Sequence, residues 1–373
     1  MPKKRKTRTK TRARPHATQV VYLIGAGATQ AEINYLGAAT VNLLMQDNIW
    51  GEGVSTGVLN RLGAAGKRFL TDKGVDIEKL ISLLTGSGIH SHLDLAEKLR
   101  KSYFAEICER LESAHVIDNP ELATALLLMH KNSDFRQNVE SLTGVITTNH
   151  DGLLQRAAQS AYGALNIGFK FKSGDFRARN RVPNILQIHG SLTWIFGTPL
   201  RIAALRKGST YSTDTSWIPP TVTKEAKSYP FNKLMGLAYE MLSKKCDVLR
   251  IIGSSLTQND WNILGLIFNA QRHREYLGHS AFRIELIMPQ RIGKNVEKDC
   301  SFLRNLFSIG SLTDGDFADY KNLPEQEDPA PDSPLSNPFS YWLKEKINYH
   351  IRSADFGTGN IPEILLRVSG GAP

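Results

Sequence analysis

The most constraining feature of the sequence is a short apolar run that ends on glycines. Val20-Val21-Tyr22-Leu23-Ile24 is β-branched and aromatic, as suits a strand buried on both faces. It runs directly into Gly25-Ala26-Gly27-Ala28-Thr29 and then into a helical pattern through about Leu44. Strand, glycine turn and helix in that order open an α/β nucleotide-binding unit.

The rest of the chain extends that reading. Further strands are expected at Gly144 to Thr148, Ile185 to Ile188, Asp247 to Ile252 and Phe282 to Met288. Helices fit Gly152 to Ala161, Pro230 to Lys244 and Gln258 to Arg274. Alternation of short apolar strands with helices predicts an α/β fold, a Rossmann-like, doubly wound, mostly parallel sheet. Between about residues 76 and 131 the apolar spacing is helical with no strand between, which predicts an all-helical insertion. Residues 324–338 hold five prolines and four acids and read as an extended linker. A helix is expected beyond it, at about Tyr341 to His350, and a short apolar segment near Ile364 to Val368. The organisation expected is a disordered basic arm (1–18), a catalytic domain (19–315) and a proline-rich linker with a helical extension (316–373).

Charge belongs mostly to the arm. The 373 residues carry 46 Lys plus Arg against 36 Asp plus Glu, a net +10. Residues 3–14 hold eight positive charges and no acid, and subtracting those eight leaves +2 for the remainder. The folded body is therefore near neutral. Such an arm binds phosphates in a salt-dependent way, so DNA contact through residues 3–14 is one expectation and a solvated tail the other. It lacks aromatic residues for base stacking, which argues against sequence-specific recognition. The three cysteines, Cys108, Cys246 and Cys300, stand far apart without a CxxC pair, which fits a reducing cytoplasm and excludes a cysteine-rich zinc site. No apolar run is long enough to cross a bilayer and no signal peptide is evident, so a soluble, cytoplasmic protein is expected.

Ligands of an open parallel sheet bind at the carboxyl ends of its strands. Four polar clusters fall there: Gly25 to Thr29; Thr147-Thr148-Asn149-His150-Asp151; His189-Gly190-Ser191; and Gly253-Ser254-Ser255, with Asp260 further on. Glycines in the first cluster let backbone N–H groups approach a pyrophosphate. Position 30 is Gln, so the third glycine of the dehydrogenase fingerprint is missing, and Asp47 lies in a helical pattern rather than at a strand end. Taken singly, each cluster has a plainer reading. Asn149 or Asp151 is a good helix N-cap, His189 could be a satisfied structural histidine, and Gly253 to Ser255 a tight turn. Their coincidence at four strand ends describes a site. His90 and His92 could pair as metal ligands but lie in a Gly-rich loop, and no clustered carboxylates suggest a metal-dependent nuclease.

In this order the clusters resemble the sirtuin superfamily. Gly25-Ala26-Gly27-Ala28-Thr29 looks like its GAGxS turn and Thr147 to Asp151 its TQNxD motif. His189-Gly190 resembles its catalytic His-Gly, and Gly253-Ser254-Ser255-Leu256 its GTSL loop. The match is closest to divergent bacterial members that act in phage defence, in which His-Gly-Ser precedes Trp, Pro-Pro and an Asp, as do His189 to Ser191, Trp194, Pro219-Pro220 and Asp260 here. The resemblance spans roughly residues 20–315. Thr148 stands where the family has Gln, Ser254 replaces Thr or Tyr, the Pro-Asp-Phe-Arg lid is missing, and the zinc ribbon cannot form.

The resemblance implies NAD as substrate, no zinc, and an NAD⁺ nucleosidase rather than a protein deacylase. It implies Asn149 and His189 as catalytic residues. Gly25, Ala26, Gly27 and Thr29 would face the pyrophosphate, Asp151 would hold the nicotinamide amide, and Thr148 would be a further NAD-binding residue. Gly253 and Ser254 would belong to the phosphate and ribose loop, and Ser255 with Asp260 would hold the adenosine side. It further implies a homo-oligomeric effector that depletes NAD⁺ during phage infection. Too short after residue 315 for a fused sensor, the chain is expected to pair in trans with a HerA-type hexameric ATPase. The alternative is a non-catalytic subunit that senses NAD or ADP-ribose or associates with DNA.

Overall fold

The apolar run forms the middle of the sheet. In the computed structural model, residues 17–35, 77–113, 119–131, 140–203, 215–218, 224, 226–254, 260–280, 282–289 and 347–353 are described. Strand β1 (Thr18–Ile24) lies between β2 (Glu140–Thr147) and β8 (Val248–Ile252), parallel to both, and its last five residues are buried. With a strand on either side and helices over both faces, such a strand has no solvent face, hence the unbroken apolar run. β4 (Asn184–Gln187) pairs beyond β2 and β9 (Arg283–Pro289) beyond β8, also parallel. The order β9-β8-β1-β2-β4 is that of a doubly wound α/β sheet, as the alternation predicted.

β1 leads through α1 (Ala26–Tyr35) and the insertion to β2 on one side, whereas β8 leads through α7 (Trp261–Tyr276) to β9 on the other. The strand order therefore reverses between β1 and β8. The insertion is helical as expected, with α2 (Ile77–Gly86), α3 (His90–Ser113) and α4 (Glu121–Lys131). Its buried Leu80, Ile81, Leu99, Leu111, Leu122 and Leu126 join the main core. The Glu32 carboxylate of α1 ties it down by accepting the first backbone N–H groups of α4, from Glu121, Leu122 and Ala123, at 2.6–2.9 Å. Helices α5 (Leu153–Tyr162) and α6 (Phe231–Lys245) complete the layers.

Three features differ from the sequence reading. Thr18, assigned to the basic arm, already pairs with Glu140 as the first residue of β1. The helix expected over 341–350 is, in its described part, strand β10 (Ile347–Ser353), antiparallel to β9. Ile347, Tyr349 and Ile351 alternate with Asn348, His350 and Arg352, a period of two that the helical assignment overlooked. A second sheet was not foreseen. It orders β3 (Phe171–Lys172), β6 (Leu200–Ile202), β5 (Gly190–Ile195) and β7 (Thr215–Trp217), strands mostly too short for periodicity to register. The arm over residues 3–14, the linker at 324–338 and the segment near Ile364 lie outside the described residues.

Candidate active site at the carboxyl edge of the sheet

Four adjacent strands, β8, β1, β2 and β4, end on the four polar clusters, so the fold brings them to one edge. At the point of strand-order reversal two turns meet backbone to backbone. Gly27 N–H donates to the Gly253 carbonyl at 2.8 Å, and Gly25 N–H to that of Ile252 at 3.0 Å. A Cβ on Gly25 would lie 2.6 Å from Ser254 Cβ, and one on Gly27 2.9 Å from Gly253 O. Mutual approach of the turns is thus the immediate reason for these glycines.

The β2 cluster is knitted to the β1 turn. Thr147 donates its hydroxyl to the Ile24 carbonyl at 2.8 Å and receives Asn149 N–H at 3.1 Å, while Thr148 N–H reaches Ile24 O at 3.3 Å. Asn149 Nδ2 donates to Gly25 O at 3.0 Å and to Thr29 Oγ1 at 2.9 Å. The Thr29 hydroxyl donates onward to Asp151 Oδ2 at 2.9 Å, and Asp151 Oδ1 accepts Leu153 N–H at 3.0 Å. Asp151 therefore serves the start of α5 and the site network together. Burial pushes its carboxyl above the usual range, against the lowering effect of Thr29 and the Leu153 amide. Gln187, from β4, donates to the carbonyls of Asn149 and Asp151 at 3.3 and 2.7 Å and accepts from Gln155.

His189 follows β4 where the chain leaves the main sheet for β5. Gly190 turns that corner at φ +76°, a conformation few side chains tolerate. The histidine is 2% exposed. Burial first, and then the nearby Lys224 ammonium, pushes the ring down to about 3. His189 is therefore neutral at physiological pH, with one ring nitrogen unprotonated. His150 lies with its ring centroid 6.2 Å away and its Nδ1 buried without a hydrogen-bond partner. Burial pushes that ring, too, down to about 3.

Three contributors escaped the sequence reading. Asn262, in the first turn of α7, places Nδ2 3.0 Å from His189 Nε2. Lys224 sits between Glu78 of α2 and Asp260 at 3.1 and 2.9 Å. Asp260, expected on the adenosine side, thus faces a lysine. Trp217 stacks on Tyr103 of α3 at 6.1 Å and meets His150 edge-on at 5.2 Å. A polar residue one turn into a helix and an isolated lysine carry no spacing signature; only the tertiary fold reveals them. Ser255 lies outside the described residues. His90 and His92 open α3 rather than occupying a loop, and His92 Nδ1 lies 3.0 Å from Ser87 Oγ. Among the described residues no three His, Cys, Asp or Glu side chains gather as a metal site, and no helix is long and apolar enough to cross a membrane.

Neither a protein-family model nor a curated protein matches the chain. Among the solved structures similar to it are these two. One is a mutant Sir2 homologue in complex with 2′-O-acetyl ADP-ribose, at 16% identity, covering 79% of this chain and 95% of that one with a TM-score of 0.36. The other, described as the structural basis of sirtuin substrate affinity, is 15% identical and covers 79% of this chain and 94% of that one with a TM-score of 0.32. At that level of superposition the α/β architecture rests on the strand order itself.

Proposed function

We propose that the chain hydrolyses the nicotinamide–ribose bond of NAD⁺ to give nicotinamide and ADP-ribose. The observation that carries this reading is His189, a buried neutral histidine at the carboxyl edge of a parallel sheet, one strand from the Asn149–Thr29–Asp151 network. Nicotinamide leaves a cationic glycoside as a neutral molecule, so the reaction needs chiefly a stabilised oxocarbenium-like ribose and a positioned water. Asn149 orients ribose and water. His189 takes a proton from the water or from a ribose hydroxyl, and that proton passes on to solvent. In this reading Asp151 would hold the nicotinamide amide, the Gly25 to Thr29 turn the pyrophosphate, the Gly253–Ser254 turn the phosphate and ribose, and Ser255 with Asp260 the adenosine side.

One observation favours a second reading. The Asn149 amide and the Gly27 N–H are already engaged within the protein, by Gly25 O, Thr29 Oγ1 and Gly253 O. NAD⁺ must exchange those contacts before it is cleaved, as suits a resting form that needs activation, or a module that binds NAD⁺ or ADP-ribose without cleaving it. The motif resemblance supports placing the activity in phage defence, as a homo-oligomeric effector paired with a HerA-type ATPase, with DNA contact through residues 3–14. The deciding experiment measures nicotinamide release by the chain, alone and with such an ATPase on DNA, beside Asn149→Ala and His189→Ala. Release abolished in both folded variants supports the hydrolase. NAD⁺ binding without release under every condition selects the sensing module.

A further inference from the structure

The helix after β8 returns to the histidine after β4, three strands away, a span of about 14 Å between strand axes. The contact it makes there has a defined polarity. Asn262 Oδ1 accepts the backbone N–H of Ile263 at 3.0 Å, so the amide oxygen is committed and the amide nitrogen faces the ring. The hydrogen in the 3.0 Å contact with His189 Nε2 therefore belongs to Asn262, and Nε2 is the acceptor. A neutral imidazole carries one N–H, which then resides on Nδ1.

We propose that Asn262 is the positioning residue of His189: it fixes the Nδ1–H tautomer and holds Nε2 as the basic nitrogen of the site. This rests on the reading of His189 as the base. When a water or ribose hydroxyl enters, its O–H takes over the lone pair of Nε2. The displaced Asn262 N–H turns to the same oxygen, which gains electron density as its proton moves to the ring. In hydrolysis the water oxygen then bonds the ribose carbon, the glycosidic electron pair leaves with nicotinamide, and the ring later gives its proton to solvent. The charged and titratable groups facing His189 are His150, from the turn after β2, and Lys224, itself held by Asp260 and Glu78.

The test uses the full chain with ¹⁵N-labelled histidine, His189 being assigned by loss of its signals in His189→Gln. Long-range ¹H–¹⁵N correlation reads the tautomer directly. The expected result is an unprotonated Nε2 in the wild type and a mixture of tautomers in Asn262→Ala. In Asn262→Asp, whose carboxylate can only accept, Nε2 becomes protonated and the ring titrates at higher pH. Asn262→Gln, which keeps the amide, retains the wild-type signature. In NAD⁺ hydrolysis, Asn262→Ala lowers kcat by about tenfold with KM changed by no more than about twofold. An Nε2 that stays unprotonated in both the Ala and Asp variants, with their unfolding midpoints unchanged, overturns the proposal. A wild-type chain that cleaves no NAD⁺ but shows the expected tautomer shifts instead overturns the hydrolase reading and leaves the positioning role supported.

Discussion

Gly27 and Gly253 close the sheet's topological switch point with one backbone hydrogen bond of 2.8 Å, each occupying the space where the other would need a side chain. The two positions are not equivalent. Gly253 has φ +63°, and a Cβ there would stand 2.1 Å from Ala28 N, whereas a Cβ on Gly27 would meet Gly253 O at 2.9 Å. Gly253→Ala combines backbone strain with a rigid overlap and is expected to cost about 3 kcal/mol or more. Gly27→Ala requires only that the turns separate slightly, about 1–3 kcal/mol. Urea unfolding midpoints of the two variants should fall in that order.

Thr29 is the hinge of the polar network, accepting from Asn149 Nδ2 and donating to Asp151 Oδ2. Thr29→Val keeps the shape and removes both bonds, leaving a buried amide hydrogen and a buried carboxylate short of a partner. A loss of about 1–3 kcal/mol in unfolding free energy is expected. Because burial already raises the Asp151 carboxyl and Thr29 opposes that rise, the variant should raise it further, visible in ¹³C-carboxyl titration. Nicotinamide release should fall with it.

Both site histidines have rings pushed down to about 3 in the folded chain, against an ordinary value of 6.5. Below about pH 6.5 the unfolded chain binds protons that the folded chain refuses, so stability drops as pH falls from 6.5 toward 3. Asp151 and Glu32 act in the opposite sense. Their raised carboxyl values give stability that is present in acid and lost as pH rises through them. Comparing variants separates the contributions. His189→Gln should reduce the acid slope of unfolding free energy by about one proton, or about 1.4 kcal/mol per pH unit. An unchanged slope between pH 6.5 and 4 would mean that the folded site accommodates the charged ring.

What the sequence made legible follows the range of its signals. Val20 to Ile24 announced a doubly buried strand because burial on both faces leaves no polar position. The polar clusters after β1, β2, β4 and β8 could be expected together because a parallel sheet puts every strand's carboxyl end on one edge. Asn262 and Lys224 went unseen because their partners, His189 and Glu78, lie 73 and 146 residues away, a separation no local pattern encodes. The misreading of Ile347 to His350 was of another kind. An apolar-aromatic stretch after a proline-rich segment was given a helical period, although Ile347, Tyr349 and Ile351 alternate strictly and pair with β9.

Lys224 links the insertion to the start of α7 at the carboxyl edge of the sheet, and that link makes a last prediction. Its ammonium lies 3.1 Å from Glu78 and 2.9 Å from Asp260, the three side chains being 7%, 8% and 15% exposed. Removing only the lysine takes a buried cation from between two largely buried carboxylates, so Lys224→Met should cost about 3–5 kcal/mol. Neutralising all three, in Glu78→Gln/Lys224→Met/Asp260→Asn, should recover most of that loss, because the desolvation penalty disappears with the charges. The lysine also depresses His189 and His150. In the triple variant, which stays folded, both rings should titrate at higher pH than in the wild type by ¹H–¹⁵N NMR. A recovered stability with unshifted histidines would confine Lys224 to docking α2 against the start of α7. Shifted histidines would make the same lysine part of the electrostatics that keep His189 neutral.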